Sequence, residues 1–290
     1  MKTSPGLAFR PALLASAALL LPALAGAQQD FSQVQIQTHH VAGSVYYLEG
    51  QGGNIGLSVG EDGVVMIDDQ FAPLTDRIVA AIRTLNDGEI RFLINTHVHG
   101  DHTGGNENLG RLGILILARD AVRVRLMATA PAVALPVLTF SEPINIHLNG
   151  EEVRTIPVPP AHTDGDTYIH FVNSDVLHMG DVFRTTGYPY MDLANGGSLD
   201  GLIEALGIAI GLAGPNTKII PGHGRVATRA DVMAHRDMIL AVKARVSALV
   251  AQGLTYDQVA AARPTASYDA GMDSPERFLR AMYTELGGQN

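Results

Sequence analysis

The stretch Thr96-His97-Val98-His99-Gly100-Asp101-His102-Thr103-Gly104-Gly105-Asn106 constrains this chain more than any other. Its three imidazoles and one carboxylate fall between positions 97 and 102. The apolar run Arg91-Phe92-Leu93-Ile94-Asn95 just before it reads as a short buried strand. Gly104-Gly105 break the pattern just after it. The cluster is therefore expected on a tight loop at a strand end, where side chains converge on one point. Imidazole nitrogen and carboxylate oxygen suit Zn²⁺ and similar borderline metals. Four such donors exceed what one catalytic Zn²⁺ takes from a protein, because such sites keep a position open for water. The excess points to two metals.

Composition narrows the classes around this feature. The 290 residues are 46% hydrophobic, enough for one large domain or two. The formal net charge is −9. Residues 1–27 carry Lys2 and Arg10 and no acid, so their removal deepens it to −11. Such acidity disfavours binding to nucleic-acid phosphates or to an anionic membrane surface. With no cysteine, disulfides, thiolate ligands and thiol nucleophiles are excluded. The N-terminus reads as an export signal. A positive start precedes the apolar run at 11–24, and Ala25-Gly26-Ala27 offers a small-residue cleavage site. The apolar run is shorter than the ~20 residues a spanning helix needs. A soluble periplasmic or secreted protein is expected, free of the membrane once the signal is cut.

Residues 31–67 look like β-structure: an alternating Val34-Gln35-Ile36-Gln37, then Ser44 to Leu48, Asn54 to Val59 and the buried run Val64 to Ile67. The loop 49–53 between two of these strands is a possible flap. Pro73 to Leu85 has apolar residues at helical spacing. Residues 129–140 are expected to form an irregular connection. Strands follow near 144–148, 152–158, 167–172 and 175–179, then a helix at 198–212, a strand at 218–220 and helices at 228–252, 255–262 and 274–286. This order suggests an α/β (α+β) protein in which two packed sheets carry helices outside, in four layers. The expected divisions are a signal at 1–27, a core domain at 28–253 and a helical extension at 254–290.

Three further strand ends carry potential ligands: His162 in Pro160-Ala161-His162-Thr163-Asp164, Asp181 after Leu177-His178-Met179-Gly180, and His223 in Pro221-Gly222-His223-Gly224. A lone strand-end histidine is weak evidence. Several beside one dense cluster are strong. With His97-Val98-His99-Gly100-Asp101-His102 as an HxHxDH motif and the later residues in matching order, the chain resembles the metallo-β-lactamase-fold hydrolases over about residues 34–250. The resemblance implies an αββα sandwich with two Zn²⁺ per chain at one edge. It places His97, His99 and His162 on one ion, Asp101, His102 and His223 on the other, and Asp181 between them. It implies that Asp68 orients a ligand histidine, with Asp69 as competitor for that part. Asp101 is the expected catalytic proton relay.

The layout is nearest to the cysteine-type β-lactamases, but Asp181 stands where those have cysteine. Gly180-Asp181-Val182-Phe183-Arg184 parallels their Gly-Cys-x-x-Lys segment, so Arg184 would grip a substrate carboxylate with its fork. Tyr188, Tyr190, Asp192 and Asn195, on the loop that follows, are expected to face substrate, Asn195 as a binding residue. His39, His40, His147, His170, His178 and His235 are read as structural or surface residues.

The leading expectation is a monomeric secreted zinc hydrolase that opens a cyclic amide such as a β-lactam in a small molecule. Alternatives are a lactonase, a glyoxalase II-like thioesterase, a mononuclear-iron dioxygenase with the same motif, or a non-catalytic metal-binding protein. A nuclease is disfavoured by acidity. A di-iron redox protein would have an acid where His99 stands and a flavin domain. The fold alone fixes none of these substrates.

Overall fold

The strand Gly63–Ile67 (β4) shows how the molecule is layered. All five residues are buried, and their side chains alternate between two cores. Val64 and Met66 join one apolar cluster with Leu57, Ile78, Ile82 and Leu93. Val65 and Ile67 join another with Ile94, Val153, Ile169 and Phe171. A strand covered on both faces reads as an unbroken apolar run rather than an alternating one.

The computed structural model describes residues 1–2 and 29–288; the expected signal segment, beyond its first two residues, lies outside the described residues. One seven-stranded sheet runs β1-β2-β3-β4-β5-β6-β7. It comprises Gln37–Ala42 (β1), Val45–Glu49 (β2), Ile55–Gly60 (β3), β4, Ile90–Asn95 (β5), Leu115–Arg119 (β6) and Leu138–Phe140 (β7). β1 to β4 pair antiparallel, and β4 to β7 pair parallel. Helices Thr75–Leu85 (α1) and Asn106–Arg111 (α3) cover its outer face through Ile78, Ile82 and Leu109. Between β5 and α3, Gly100–Thr103 makes one helical turn (α2).

The second sheet has Asn145–Leu148 (β8), Glu151–Pro157 (β9), Thr167–Phe171 (β10), Val176–His178 (β11) and Lys218–Ile220 (β12), in the order β12-β11-β10-β9-β8. Its inner residues Val153, Ile169, Phe171, Val176 and Ile220 meet the first sheet. Its outer face packs on Leu199–Leu212 (α5) and Arg229–Val250 (α6), the short helix Asp120–Leu126 (α4) following β6 elsewhere. Tyr256–Ala261 (α7) and Glu276–Glu285 (α8) bury Tyr256, Val259, Phe278, Leu279 and Met282 in that same outer core. The four layers of the expected sandwich are thus in place. Among the described residues, no helix is long and apolar enough to cross a membrane.

Two local expectations differ from the structure. The alternating Val34-Gln35-Ile36 does not pair; β1 starts only at Gln37. Arg77 on α1 donates to the carbonyls of Phe31 and Val34 at 2.6 and 2.9 Å, so this segment folds over the helix layer instead of extending the sheet. The stretch 129–140 is not wholly irregular. Its end forms β7, which pairs with β6 through Leu117 and Leu138.

His235 on α6 is structural, as expected, its ring set edge-on to Phe183 at 5.2 Å. Burial, helped by the nearby Arg184 charge, pushes its pKa down to about 4. The unfolded chain then binds more protons than the folded one between about pH 6.5 and 4, so this contribution to stability is present above that window and lost as pH falls through it. His235→Leu should flatten the wild-type decline in unfolding free energy over this window by roughly 1–3 kcal/mol, measured by urea denaturation at fixed metal content. Equal pH slopes in both proteins would contradict this.

Candidate metal centre

The two parallel pairs, β4/β5 in one sheet and β11/β12 in the other, deliver side chains from their C-terminal ends to one edge of the sandwich. A direct tie joins the sheets there. Asn54 donates from its backbone to the Gly222 carbonyl at 2.7 Å and from its amide to the Pro221 and Gly224 carbonyls at 2.9 and 2.8 Å. The expected tight loop is a turn carrying His97 and His99, continued by α2, which bears Asp101 and His102. Gly104-Gly105 end α2, as the break in the sequence pattern suggested, and let the turn pass close to residues 69–71. Two glycines permit the crowding of the centre. A Cβ at Gly53 would enter the His102 ring, and one at Gly222 would strike Asp181 Oδ1. The Gly53 end of the 49–53 loop is tied down: its N–H donates to the Asp101 carbonyl and its carbonyl accepts from Gln70.

All seven residues expected as ligands converge. Donor atoms of His97, His99 and His162 lie within 4.8 Å of one another, as do those of Asp101, His102 and His223. Asp181 sits between the two groups. Its Oδ1 is 3.2 Å from His102 Nε2, and its Oδ2 is 3.2 Å from His223 Nε2 and 3.8 Å from His162 Nε2.

Each histidine of the first group gives one ring nitrogen to the protein and aims the other inward. His162 Nδ1–H donates to the Tyr190 carbonyl at 2.6 Å, and His99 Nε2–H donates to Asp192 Oδ2 at 2.8 Å. This fixes the tautomers and leaves His162 Nε2 and His99 Nδ1 as lone pairs facing each other at 2.8 Å. His97 Nδ1 lies 3.0 Å from the Thr96 hydroxyl, which itself donates to Asp68. His97 Nε2 is buried with no hydrogen-bond partner. Buried unpaired acceptors are costly. Lone pairs turned toward one another call for a cation between them, so the donor set fits metal.

Charge separates the two groups. Burial holds the His97, His99 and His162 imidazoles below their ordinary range, neutral and ready to donate a lone pair. In the other group burial acts in the same direction but is outweighed by carboxylates. Asp181 and Asp68 raise His102, and Asp181 raises His223 to about 9. Burial opposes the charge on Asp181, yet His102 and His223 hold that carboxyl well below its usual range.

Asp68 rather than Asp69 orients the centre. Its backbone is left-handed, φ 61°, at the end of β4. Its oxygens accept from the Thr96 N–H, the Thr96 hydroxyl and His102 Nδ1, each at 2.7 Å. With its oxygens so engaged, Asp68 serves His102 rather than a metal, although it lies close enough to His97 and His102 to form a third possible group. Asp69 instead accepts from the Gly105 N–H and holds the turn after α2.

The residues expected to face substrate are placed differently from one another. Asn195 is engaged at both ends, donating to Asp192 Oδ2 at 2.7 Å and accepting from Arg125 at 2.9 Å. It braces Asp192, which in turn holds His99. Arg184 lines a cleft of about 310 Å³ with Phe183, Arg225, His235 and Tyr268, a lining that includes none of the seven. Its backbone pairs with His223, so the cleft adjoins the centre. Thr96, Arg125 and the Tyr190 carbonyl escaped sequence reading. Thr96 adjoins the motif and was within reach of it, but Arg125 and a backbone carbonyl leave no signature.

A family model described as the metallo-beta-lactamase superfamily matches residues 48–223. The chain belongs to the metallo-beta-lactamase superfamily. Its two-sheet sandwich matches that fold. A hydroxyacylglutathione hydrolase from Nitrosococcus oceani (strain ATCC 19707) is 30% identical over 161 residues, 52% of this chain and 55% of the relative. The chain thus spans about half the length of the curated relative it matches. A metallo-beta-lactamase from Pontibacter korlensis superposes with a TM-score of 0.64 at 15% identity, over 71% of this chain and 99% of that one. A double mutant of the sec-alkyl sulfatase PisA1 gives 0.72 at 15%, over 88% of this chain and 51% of that one. DIM-1 metallo-beta-lactamase gives 0.62 at 16%, over 71% and 98%. These three likenesses concern the fold.

Asp68→Ala should free the His102 ring and weaken zinc binding about 10–100-fold. Competition against a chromophoric chelator measures this, and unchanged affinity would refute the orienting part given to Asp68.

Proposed function

We propose that this superfamily member is an exported, monomeric, dinuclear zinc hydrolase that opens an ester or thioester carbonyl in a small molecule. The observation that carries the reading is Asp181, whose oxygens lie 3.2 Å from His102 and His223 of one group, with Oδ2 also 3.8 Å from His162 of the other. His97, His99 and His162 would hold one Zn²⁺, and Asp101, His102 and His223 the other, with Asp181 shared. Bound there, the pair would supply Lewis-acid polarisation of the carbonyl and acidify the attacking water.

The chain's own groups do the rest. The three neutral imidazoles keep their lone pairs inward because Tyr190, Asp192 and Thr96 occupy the opposite nitrogens. Asp101 is the only carboxylate of the seven with substantial exposure, 28% of its side chain. It receives a proton from the attacking water at a carboxylate oxygen and delivers it to the departing oxygen or sulfur as the acyl bond breaks. Burial raises its pKa, but the His223 hydrogen bond and the His102 charge outweigh it, so the carboxyl titrates below its ordinary range and starts as a base.

The ester or thioester is placed ahead of the β-lactam for two reasons. A carboxylate, not a thiolate, sits between the groups, and the 30%-identical relative is named for cleaving an acyl group from glutathione. The β-lactam is kept as a second reading because Arg184 occupies the lysine position of the cysteine-type enzymes.

Zinc-loaded protein should turn over at least one of three substrate sets (aryl esters and lactones, acyl thioesters, chromogenic β-lactams) and lose that activity on chelation. His97→Ala or Asp181→Ala should lower kcat at least about 100-fold together with metal content. Full activity in either variant would remove the metal reading; turnover of β-lactams alone would reverse the order of substrates. For a carboxylate-bearing substrate reaching into the cleft beside His223, Arg184→Ala should raise KM about 10-fold with kcat retained. An unchanged KM would free Arg184 from that role.

A further inference from the structure

The loop from Thr185 to Gly197 does more than border the centre. Its Tyr190 carbonyl accepts from His162 Nδ1 at 2.6 Å, and its Asp192 carboxylate accepts from His99 Nε2 at 2.8 Å. The Asp192 N–H also donates to the His162 carbonyl at 2.9 Å. The Tyr190 ring lies nearly parallel to the His99 ring, 6.0 Å away, and edge-on to His162 at 5.5 Å. Two of the three histidines in one group thus take their orientation from this loop. The other group depends on it less: His102 is oriented by Asp68, at the end of β4, and the loop meets His223 at its backbone carbonyl, which accepts from the Thr185 N–H at 3.0 Å, ahead of Tyr188.

The loop is itself fastened by residues beyond the family-matched segment 48–223. Asp273 Oδ1 accepts from the Tyr188 N–H at 2.8 Å. Asp269 Oδ1 accepts from the Tyr188 hydroxyl at 2.8 Å. The Phe278 ring on α8 stacks on the Tyr188 ring at 5.6 Å with 11° between planes. The Arg277 guanidinium lies 5.8 Å from the Tyr190 ring centroid. Gly187 allows the close approach, since a Cβ there would overlap the Asp273 carboxylate. Tyr188 is 3% exposed and Phe278 is 1% exposed, so the stack belongs to the core.

We propose that the C-terminal segment is a positioning clamp for one half of the metal centre: Asp273 and Phe278 hold Tyr188, and through it the Tyr190 carbonyl and Asp192 carboxylate, which aim His162 and His99. The proposal rests on the reading of this edge as a two-ion centre. Partners that orient a ligand histidine typically change metal affinity 10–100-fold when lost. A clamp acting on one side only predicts that the loss falls on one ion. Release of the loop lets His99 and His162 swing away, while Asp101, His102 and His223 keep their support.

The test uses full-length chain in two single-site backgrounds. His223→Ala keeps the His97/His99/His162 group, and His99→Ala keeps the Asp101/His102/His223 group. Zn²⁺ affinity is measured in each by chelator competition, with and without Asp273→Ala. The expected result is a 10–100-fold weakening in the His223→Ala background and a change under about threefold in the His99→Ala background. Asp273→Asn, which retains an oxygen for the Tyr188 N–H, should restore most of the lost affinity. Where Asp273→Ala does not fold, Phe278→Leu replaces it, removing the ring stack while keeping the apolar volume. Equal weakening in both backgrounds, or none in the first, overturns the clamp. Failure of both backgrounds to bind Zn²⁺ without any clamp substitution overturns the two-ion reading itself.

Discussion

Buried histidine nitrogens that face one another without a proton between them set the terms for this molecule. His162 Nε2 and His99 Nδ1 stand 2.8 Å apart, each deprived of its own proton-bearing side by a bond to the protein. Such an arrangement is unfavourable in an isolated chain, where each ring would turn outward to water. It persists because Tyr190, Asp192, Thr96 and Asp68 grip the opposite edges of the rings, and because those partners are anchored in turn. The outward-facing half of each imidazole determines what the inward half can do.

The architecture follows from that demand. Rings must be presented from several directions at one point, and strand ends of two facing sheets provide them. The sheets hold position through a core to which β4, β5, β10 and β11 all contribute. The short tie from Asn54 to the 221–224 turn keeps the two edges in register. Asp68 takes a left-handed backbone, and burying an unpaired acceptor such as His97 Nε2 costs about 1–3 kcal/mol. Extensive apolar burial in three large clusters offsets such local penalties, and a bound cation would relieve the second kind directly.

Much of this was legible along the chain. The HxHxDH stretch was visible because its donors are neighbours in sequence. Asp181, His162 and His223 could be added because each follows a recognisable apolar strand. The seven converge as expected. Asp68 was legible for the same reason, as the residue that ends the run Val64 to Ile67. The Tyr190 carbonyl was not, because a backbone acceptor has no residue-type signature. Arg125 was not, because the bracing line from Arg125 through Asn195 and Asp192 to His99 crosses 70 positions at its first link and 93 at its last. The substrate-facing role expected of Asn195 became a supporting one once both ends of its amide found protein partners.

Sequence alone determined the chemistry of the donors, the absence of thiolate and the two-sheet, four-layer plan, because these depend on residue identity and on hydrophobic period. Tertiary structure decided the tautomer and aim of each ring, the choice of Asp68 over Asp69, the turning of Arg184 into a neighbouring cleft and the hold of the C-terminal helices on the 185–197 loop. These depend on which distant groups come within hydrogen-bond reach, and strand periodicity carries no information about such contacts.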